Sequence, residues 1–256
     1  NGINFFDTAM SYQGGTSEMF VGRVLRDFAR REDVVLATKF EPRTDEEIAN
    51  GVTGQQHVKN CLDASLKRLG MDYVDLYICH MWDYRTPIEE IMEGLNDAVK
   101  AGKVRAIGVS NFFPDRLVDL CQFVEIRPMV NQVETHALYQ QKAAHAIMEK
   151  YGVVHESWGP FAEGRKDFFT NPVLAAVGAK HGKSVAQVAL RFLLQSDVVV
   201  IPKSVHKARM AENLQVFDFS LDAEDMAAIQ ALDQEESAFF SHYDPATVEF
   251  ITGLEL

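Results

Sequence analysis

The chain has 256 residues, enough for one large α/β domain, and 47% are apolar, enough to bury a sizeable core. A formal net charge of −12 argues against a nucleic-acid duplex or an anionic membrane surface as main partner, while leaving room for one local basic pocket. Three single cysteines (Cys61, Cys79, Cys121) and no apolar run of the ~20 residues a bilayer needs argue against a disulfide framework, a cysteine metal site and a membrane helix.

The cysteine usage fits a reducing compartment, so a cytoplasmic location is expected. The sequence begins almost inside a strand and without an initiator methionine, so an N-terminal piece is expected to be missing from it.

Apolar, β-branched-rich runs recur at Ile3–Phe6, Val34–Phe40, Val74–Cys79, Val104–Val109, Met129–Val133, Val153–Ser157 and Val198–Ile201. Each is short and apolar on both faces, the pattern of parallel strands covered on both sides. Segments with helical spacing lie between them. Val58, Leu62, Leu66 and Leu69 share one face, as do Ile88, Ile91 and Leu95. Gly70, Gly102, Gly152 and Gly182 are expected to end such helices, and Ser17 with Glu18 and Pro87 with Glu89 and Glu90 to start them.

Repeated strand–helix units imply right-handed crossovers and a parallel sheet. Seven strands fall one short of a closed (β/α)8 barrel, so the expected fold is a TIM barrel, a single domain over residues 1–256, lacking its first strand–helix unit. An open doubly wound sheet is the competing architecture, but no strand is followed by G-x-G-x-x-G. Two long connections, 41–52 and 159–172, follow strand C-termini, where a barrel builds its site. The tail from Leu221 is read as one helix and then the aromatic stretch Phe239-Phe240-Ser241-His242-Tyr243, which packs either over the strand ends or onto the outer helices.

Asp7, Lys39 and His80 each close a different strand on one rim, and Tyr12 follows Asp7 by five residues. Singly, each has an ordinary structural reading: a cap, a loop aromatic, a solvated lysine, a core histidine. Together they form a proton-delivery set. A phenol titrates near ~10; an adjacent ammonium lowers that value, a carboxylate holds the ammonium, and a neutral imidazole can donate to a carbonyl oxygen. There is no H-E-x-x-H and no G-x-S-x-G, so neither a metal site nor a serine nucleophile is expected.

Several motifs then resemble the aldo-keto reductase family. They are Asp7-Thr8-Ala9-x-x-Tyr12, Thr38-Lys39-Phe40, Asp72 to Tyr77 leading to His80, Gly102 to Phe112, Asn131-Gln132-Val133-Glu134 and Ile201-Pro202-Lys203-Ser204. Gly14-Gly15-x-Ser17-Glu18 is similar to the branch of aryl-alcohol-dehydrogenase-like enzymes and potassium-channel β-subunits. The resemblance implies an NADPH-dependent oxidoreductase that reduces an aldehyde or ketone, with a small-molecule carbonyl as its partner. By it Tyr12 is the general acid, Lys39 and Asp7 tune it, and His80 orients the carbonyl.

For the cofactor NADP(H) the resemblance implies Ser110, Asn111 and Gln132 at the carboxamide and Trp158 stacked on the nicotinamide. Lys203, Ser204 and Arg209 would clamp the 2′-phosphate, with Glu212 and Asn213 near the adenine. A strand running through Lys-Ser into a helix N-terminus would suit an anion, though these basic residues also fit a solvated amphipathic helix. Trp82, with Tyr84, Phe40, Phe112 and Phe113, suits a substrate pocket wall or plain loop packing. Two other functions stay open: a cofactor-binding regulatory subunit of the channel type, and a Schiff-base aldolase using Lys203 or Lys39. Glu156 and the acidic loop after Lys39 have no assigned role.

Overall fold

The computed structural model describes residues 2–241 and 243–253. His242, within the aromatic stretch singled out above, lies outside the described residues. The chain forms two compact units, residues 2–131 with the end of the chain from Glu249, and residues 132–248.

In the first unit β1 (Phe5–Asp7), β2 (Val35–Phe40), β3 (Val74–Cys79) and β4 (Val104–Ser110) lie side by side in chain order. The ladders are parallel, with Asp7 beside Ala37, Lys39 beside Ile78, and Cys79 beside Val109. Helices α1 (Thr16–Phe28), α2 (Asp45–Ala49), α3 (Gly54–Leu69), α4 (Ile88–Lys100) and α5 (Pro114–Phe123) supply the crossovers. The strands bury Ala37, Leu76 and Ile78 against Phe5, Ala106 and Val130.

In the second unit β5 (Val130–Glu134), whose first two residues belong to the first unit, is followed by β6 (Val154–Trp158) and β7 (Val199–Val200). β6 and β7 pair in parallel, Ser157 beside Val200. Its helices are α6 (Lys142–Tyr151), α7 (Pro172–His181), α8 (Val185–Gln195), α9 (Lys207–Leu214), α10 (Ala223–Gln230) and α11 (Pro245–Thr252), the last crossing into the chain end that belongs to the first unit. A separate core gathers Phe168, Leu174, Val188, Phe192, Leu193 and Ile229.

All seven expected strands are present; β3 agrees to the residue and the others differ by one or two residues at their ends. Gly70, Gly152 and Gly182 take left-handed conformations as helix C-caps, where a Cβ would be strained, and Gly102 does so just after Ala101, the C-cap of α4. Three local expectations are corrected. Ser17 does not cap α1, which starts at Thr16 behind a left-handed Gly15; the Ser17 hydroxyl bonds that of Thr8 at 2.8 Å. The 41–52 connection contains α2, nucleated by a capping box in which Thr44 and Glu47 exchange hydrogen bonds. The tail holds two helices, α10 and α11, because Pro245 opens a second helical run.

Candidate active site

The C-terminal ends of β1, β2 and β3 bring the four expected residues together within the first unit. Lys39, the penultimate residue of β2, is fully buried, and its Nζ donates to Asp7 Oδ1 at 2.5 Å and to the Thr8 carbonyl at 2.9 Å. The same ammonium lies 3.3 Å from the Tyr12 hydroxyl and 4.8 Å from its ring centroid. A left-handed Gln13 and the glycines after it turn the chain sharply at Tyr12, and its ring is 41% exposed although its hydroxyl reaches Lys39. The His80 ring meets Tyr12 edge-on, with centroids 5.8 Å apart.

The electrostatics differ from the sequence expectation in one respect. Burial raises the titration of the Tyr12 phenol, and the Asp7 and Glu41 carboxylates add to that; the Lys39 ammonium opposes them without prevailing. Tyr12 therefore keeps its proton across the neutral range. Burial disfavours the charge on Lys39, but Asp7 and Tyr12 outweigh it and raise Lys39 above the ordinary lysine value. Lys39 is therefore held as an ammonium between Asp7 and Tyr12.

Sequence reasoning missed Glu41. It follows β2 directly, is 6% exposed, and its Oε1 takes both the Ser11 hydroxyl and His80 Nδ1 at 2.5 Å each. Burial works against ionisation of this carboxyl. The hydrogen bonds from His80 and Ser11 and the nearby positive charges win, holding it below the ordinary carboxylate range. Its apolar neighbours in sequence disguised it as the start of an acidic surface loop.

Glu18 is also buried, where it accepts from Thr38 Oγ1 and Arg68 Nε at 2.6 Å each. It ties α1 to the end of β2 and to α3, a structural role for that part of the Gly-Gly-x-Ser-Glu run.

Beyond β3, Trp82 is half-buried, edge-on to Phe112 at 5.3 Å, with the Arg116 guanidinium 4.6 Å over its ring. Arg116 also lies 5.1 Å from the Tyr84 ring and donates to its hydroxyl at 3.3 Å. Phe40, Phe112 and Phe113 are buried as core residues. Ser110 is buried at the end of β4, accepting from the side chain of Asn111, which adopts φ 57°.

Among the residues of the second unit, Gln132 is buried on β5 and its amide donates to Glu156 Oε1 of β6 at 2.5 Å. Glu156 thereby acquires the role it lacked in the sequence: it orients a buried carboxamide. Trp158 closes β6. Phe240 stacks near-parallel to its indole at 6.2 Å and Phe239 meets it edge-on at 5.1 Å, so the tail's aromatic stretch covers a strand end. Buried Glu134 holds that tail, accepting from the Ser237 hydroxyl and, at 2.8 Å, from the Ala238 amide.

Lys203 and Ser204 are not in a strand. β7 stops at Val200, because Pro202 cannot donate to a ladder, and both residues lie in coil before α9. Lys203 and Arg209 are exposed and form no ion pair among the described residues, while Ser204 accepts from the His206 amide. Glu212 and Asn213 are half-buried near the end of α9. Two unpaired cations flanking a helix start that has no side-chain cap fit a phosphate. Among the described residues no group of side chains could hold a metal ion, and no helix is long and apolar enough to cross a membrane.

The three cysteines are free and buried, and burial pushes the Cys61 thiol up to about 12.

The parallel α/β fold is matched by the comparisons with known proteins. The Aldo/keto reductase family model covers residues 1–234. Glyoxal reductase of Bacillus subtilis (strain 168) is 38% identical over 237 residues, 92% of this chain and 81% of that protein. Methylglyoxal reductase of Escherichia coli (strain K12) is 36% identical over 236 residues, 91% of this chain and 81% of that protein. A crystal structure of an aldo-keto reductase complexed with NADPH superposes with a TM-score of 0.84 at 30% identity, covering 93% of this chain and 76% of that one. The chain belongs to the aldo/keto reductase family. It is by that membership an NADP-dependent oxidoreductase.

Proposed function

We propose that the protein reduces an aldehyde or ketone to an alcohol with Tyr12 as proton donor. The observation that carries this reading is the buried Lys39 ammonium joining Asp7 to the Tyr12 hydroxyl, with His80 against the same phenol. Bound NADPH supplies the hydride. Tyr12, held protonated, gives its proton to the carbonyl oxygen, and the Lys39 charge stabilises the phenolate left behind. Asp7 keeps Lys39 charged and in place, and His80 orients the oxygen.

For NADP(H), Ser110, Asn111 and Gln132 hold the carboxamide, with Gln132 steadied by Glu156. Trp158 would pack against the nicotinamide. Lys203, Ser204 and Arg209 bind the 2′-phosphate, and Glu212 and Asn213 lie near the adenine. Trp82 forms a wall of the substrate pocket.

The relatives named above act on glyoxal and methylglyoxal, which makes small oxo-aldehydes the first substrates to try. The aryl-alcohol branch rests on the Gly14–Glu18 run alone, and Glu18 there serves the fold. No feature among the described residues favours the regulatory-subunit reading. The test is NADPH oxidation with methylglyoxal and with an aromatic aldehyde, beside Tyr12→Phe. Turnover lost in the variant supports the reading. NADPH binding with no turnover of any carbonyl by the unsubstituted protein would overturn it.

A further inference from the structure

We propose that a cavity at the N-terminal ends of β2 and β3 binds a small monocarboxylate with an apolar body, aryl or short-chain alkyl. This site is separate from the one described above and does not depend on the carbonyl-reductase reading.

The cavity has a volume of about 300 Å³ and is lined wholly by residues of the first unit. That is the lower end of the range for ligand sites, so its occupant is small. Its walls are the second half of α1, the residues leading into β2, and the link from α3 to β3. β2 runs from this cavity to Lys39, so the cavity and the Asp7–Lys39–Tyr12 set lie at opposite ends of one strand.

Charge selects the ligand. Arg31 forms one wall, its guanidinium 3.9 Å over the Tyr73 ring and donating to the Val34 carbonyl at 3.0 Å and the Tyr73 carbonyl at 3.1 Å. It also pairs with Asp75 at 2.7 Å. Asp75 is shared with Arg105 at 2.8 Å, so one carboxylate faces two guanidinium groups and one positive charge is left over. Arg31 Nε is buried and has no acceptor. Arg26 of α1 is the second cation on the cavity. It is exposed and forms no ion pair among the described residues. Its Nη1 lies over Gly70, 3.0 Å from where a Cβ would stand, so the absence of a side chain at 70 leaves room for the guanidinium. Asp72 is the one acidic residue of the lining. Two arginines against one aspartate give a local positive excess in a chain of net charge −12, which favours an anion. Asp72 opposes a second negative charge on it.

The apolar lining selects the body. Leu25 and Val34 are buried, and Ala29 and Met71 are half-buried. Inorganic phosphate would leave that surface wet, whereas a ring or short alkyl chain covers it. The carboxylate then pairs with Arg26, whose planar fork can take both oxygens, in the field of the surplus charge at Arg31.

The test is a titration of the 15N-labelled full chain with benzoate, read in backbone amide and arginine Nε–H signals, beside benzamide and inorganic phosphate. Benzoate should shift the amides of Gly70, Met71 and Tyr73 and the Nε–H signals of Arg26 and Arg31, saturating at roughly millimolar concentration. Benzamide has the ring without the charge and phosphate the charge without the ring; each should bind about tenfold more weakly or worse. Arg26→Gln removes an exposed side chain that ties no elements together, so the fold should survive. It should weaken benzoate about tenfold and leave NADPH affinity unchanged. Absence of saturable shifts at these residues overturns the proposal, as does benzamide or phosphate binding as well as benzoate. Benzoate affinity unmoved in Arg26→Gln overturns it too.

Discussion

Lys39 Nζ stands 3.3 Å from the Tyr12 hydroxyl while its remaining hydrogen bonds go to Asp7 and the Thr8 carbonyl. One ammonium therefore serves the phenol and the carboxylate together. Replacing Tyr12 by Phe removes the donated proton and leaves the buried pair in place. Steady-state kinetics should show kcat/KM for an aldehyde falling by about 10²–10⁴-fold. NADPH affinity from fluorescence titration should be unchanged.

Lys39→Met would strand the Asp7 carboxylate, whose side chain is 9% exposed. Urea unfolding at neutral pH should report a loss of about 3–5 kcal/mol, larger than for Asp7→Asn, which leaves Lys39 its contacts with Thr8 and Tyr12. The pH dependence has a definite sign. Folding raises Lys39 above its ordinary 10.5, so its contribution is complete below that value and disappears as pH rises through the higher folded-state value. Stability from this pair should be flat through the neutral range and decline only in strong alkali.

Glu156→Ala would leave the buried Gln132 amide without its 2.5 Å acceptor. A buried donor stripped of its partner costs about 1–3 kcal/mol. Part of that should appear as NADPH binding weakened by about tenfold, read by quenching of the intrinsic tryptophan fluorescence.

Lys203→Met and Arg209→Met would remove two exposed cations that form no ion pair among the described residues. If they hold a 2′-phosphate, each should weaken NADPH binding by about tenfold or more, leave NADH binding unchanged, and flatten the salt dependence of NADPH affinity. Equal losses for both nucleotides would refute the assignment.

Gly22→Ala tests the frame beneath the site. A Cβ there would lie 2.0 Å from the Leu69 backbone carbonyl oxygen, so α1 must move away from the end of α3. Thermal denaturation should show a loss of about 3 kcal/mol. Ala at the solvent-facing Gly14 would meet nothing within 4 Å and should cost only the strain of its positive φ.

The strand–helix alternation was readable because a parallel strand covered on both faces must be apolar at nearly every position, and β3 was delimited to the residue from that pattern alone. Helix ends were readable where a single residue carries the conformation, as at Gly152 and Gly182. They were misread where a side chain had another partner: Ser17 looks like a cap in sequence and spends its hydroxyl on Thr8. The capping box of α2 was present in the letters Thr44 and Glu47, but a five-residue helix gives too little periodicity to announce itself.

That Asp7, Tyr12, Lys39 and His80 lie together, the set proposed for proton delivery, was legible in sequence because strand ends place them on one rim. Their states were not. That Tyr12 keeps its proton and Lys39 stays charged follows from burial and from distances between residues far apart in the chain. Glu41 and Glu156 stayed invisible for the same reason: each is a carboxylate whose meaning lies wholly in its partner, His80 in one case and Gln132 in the other. Composition and period depend on local covalent neighbours, so one sequence determines strands, helices and the rim. Which carboxylate is buried, and whose proton it holds, depends on contacts that exist only once distant strands lie side by side, and tertiary structure alone decided that.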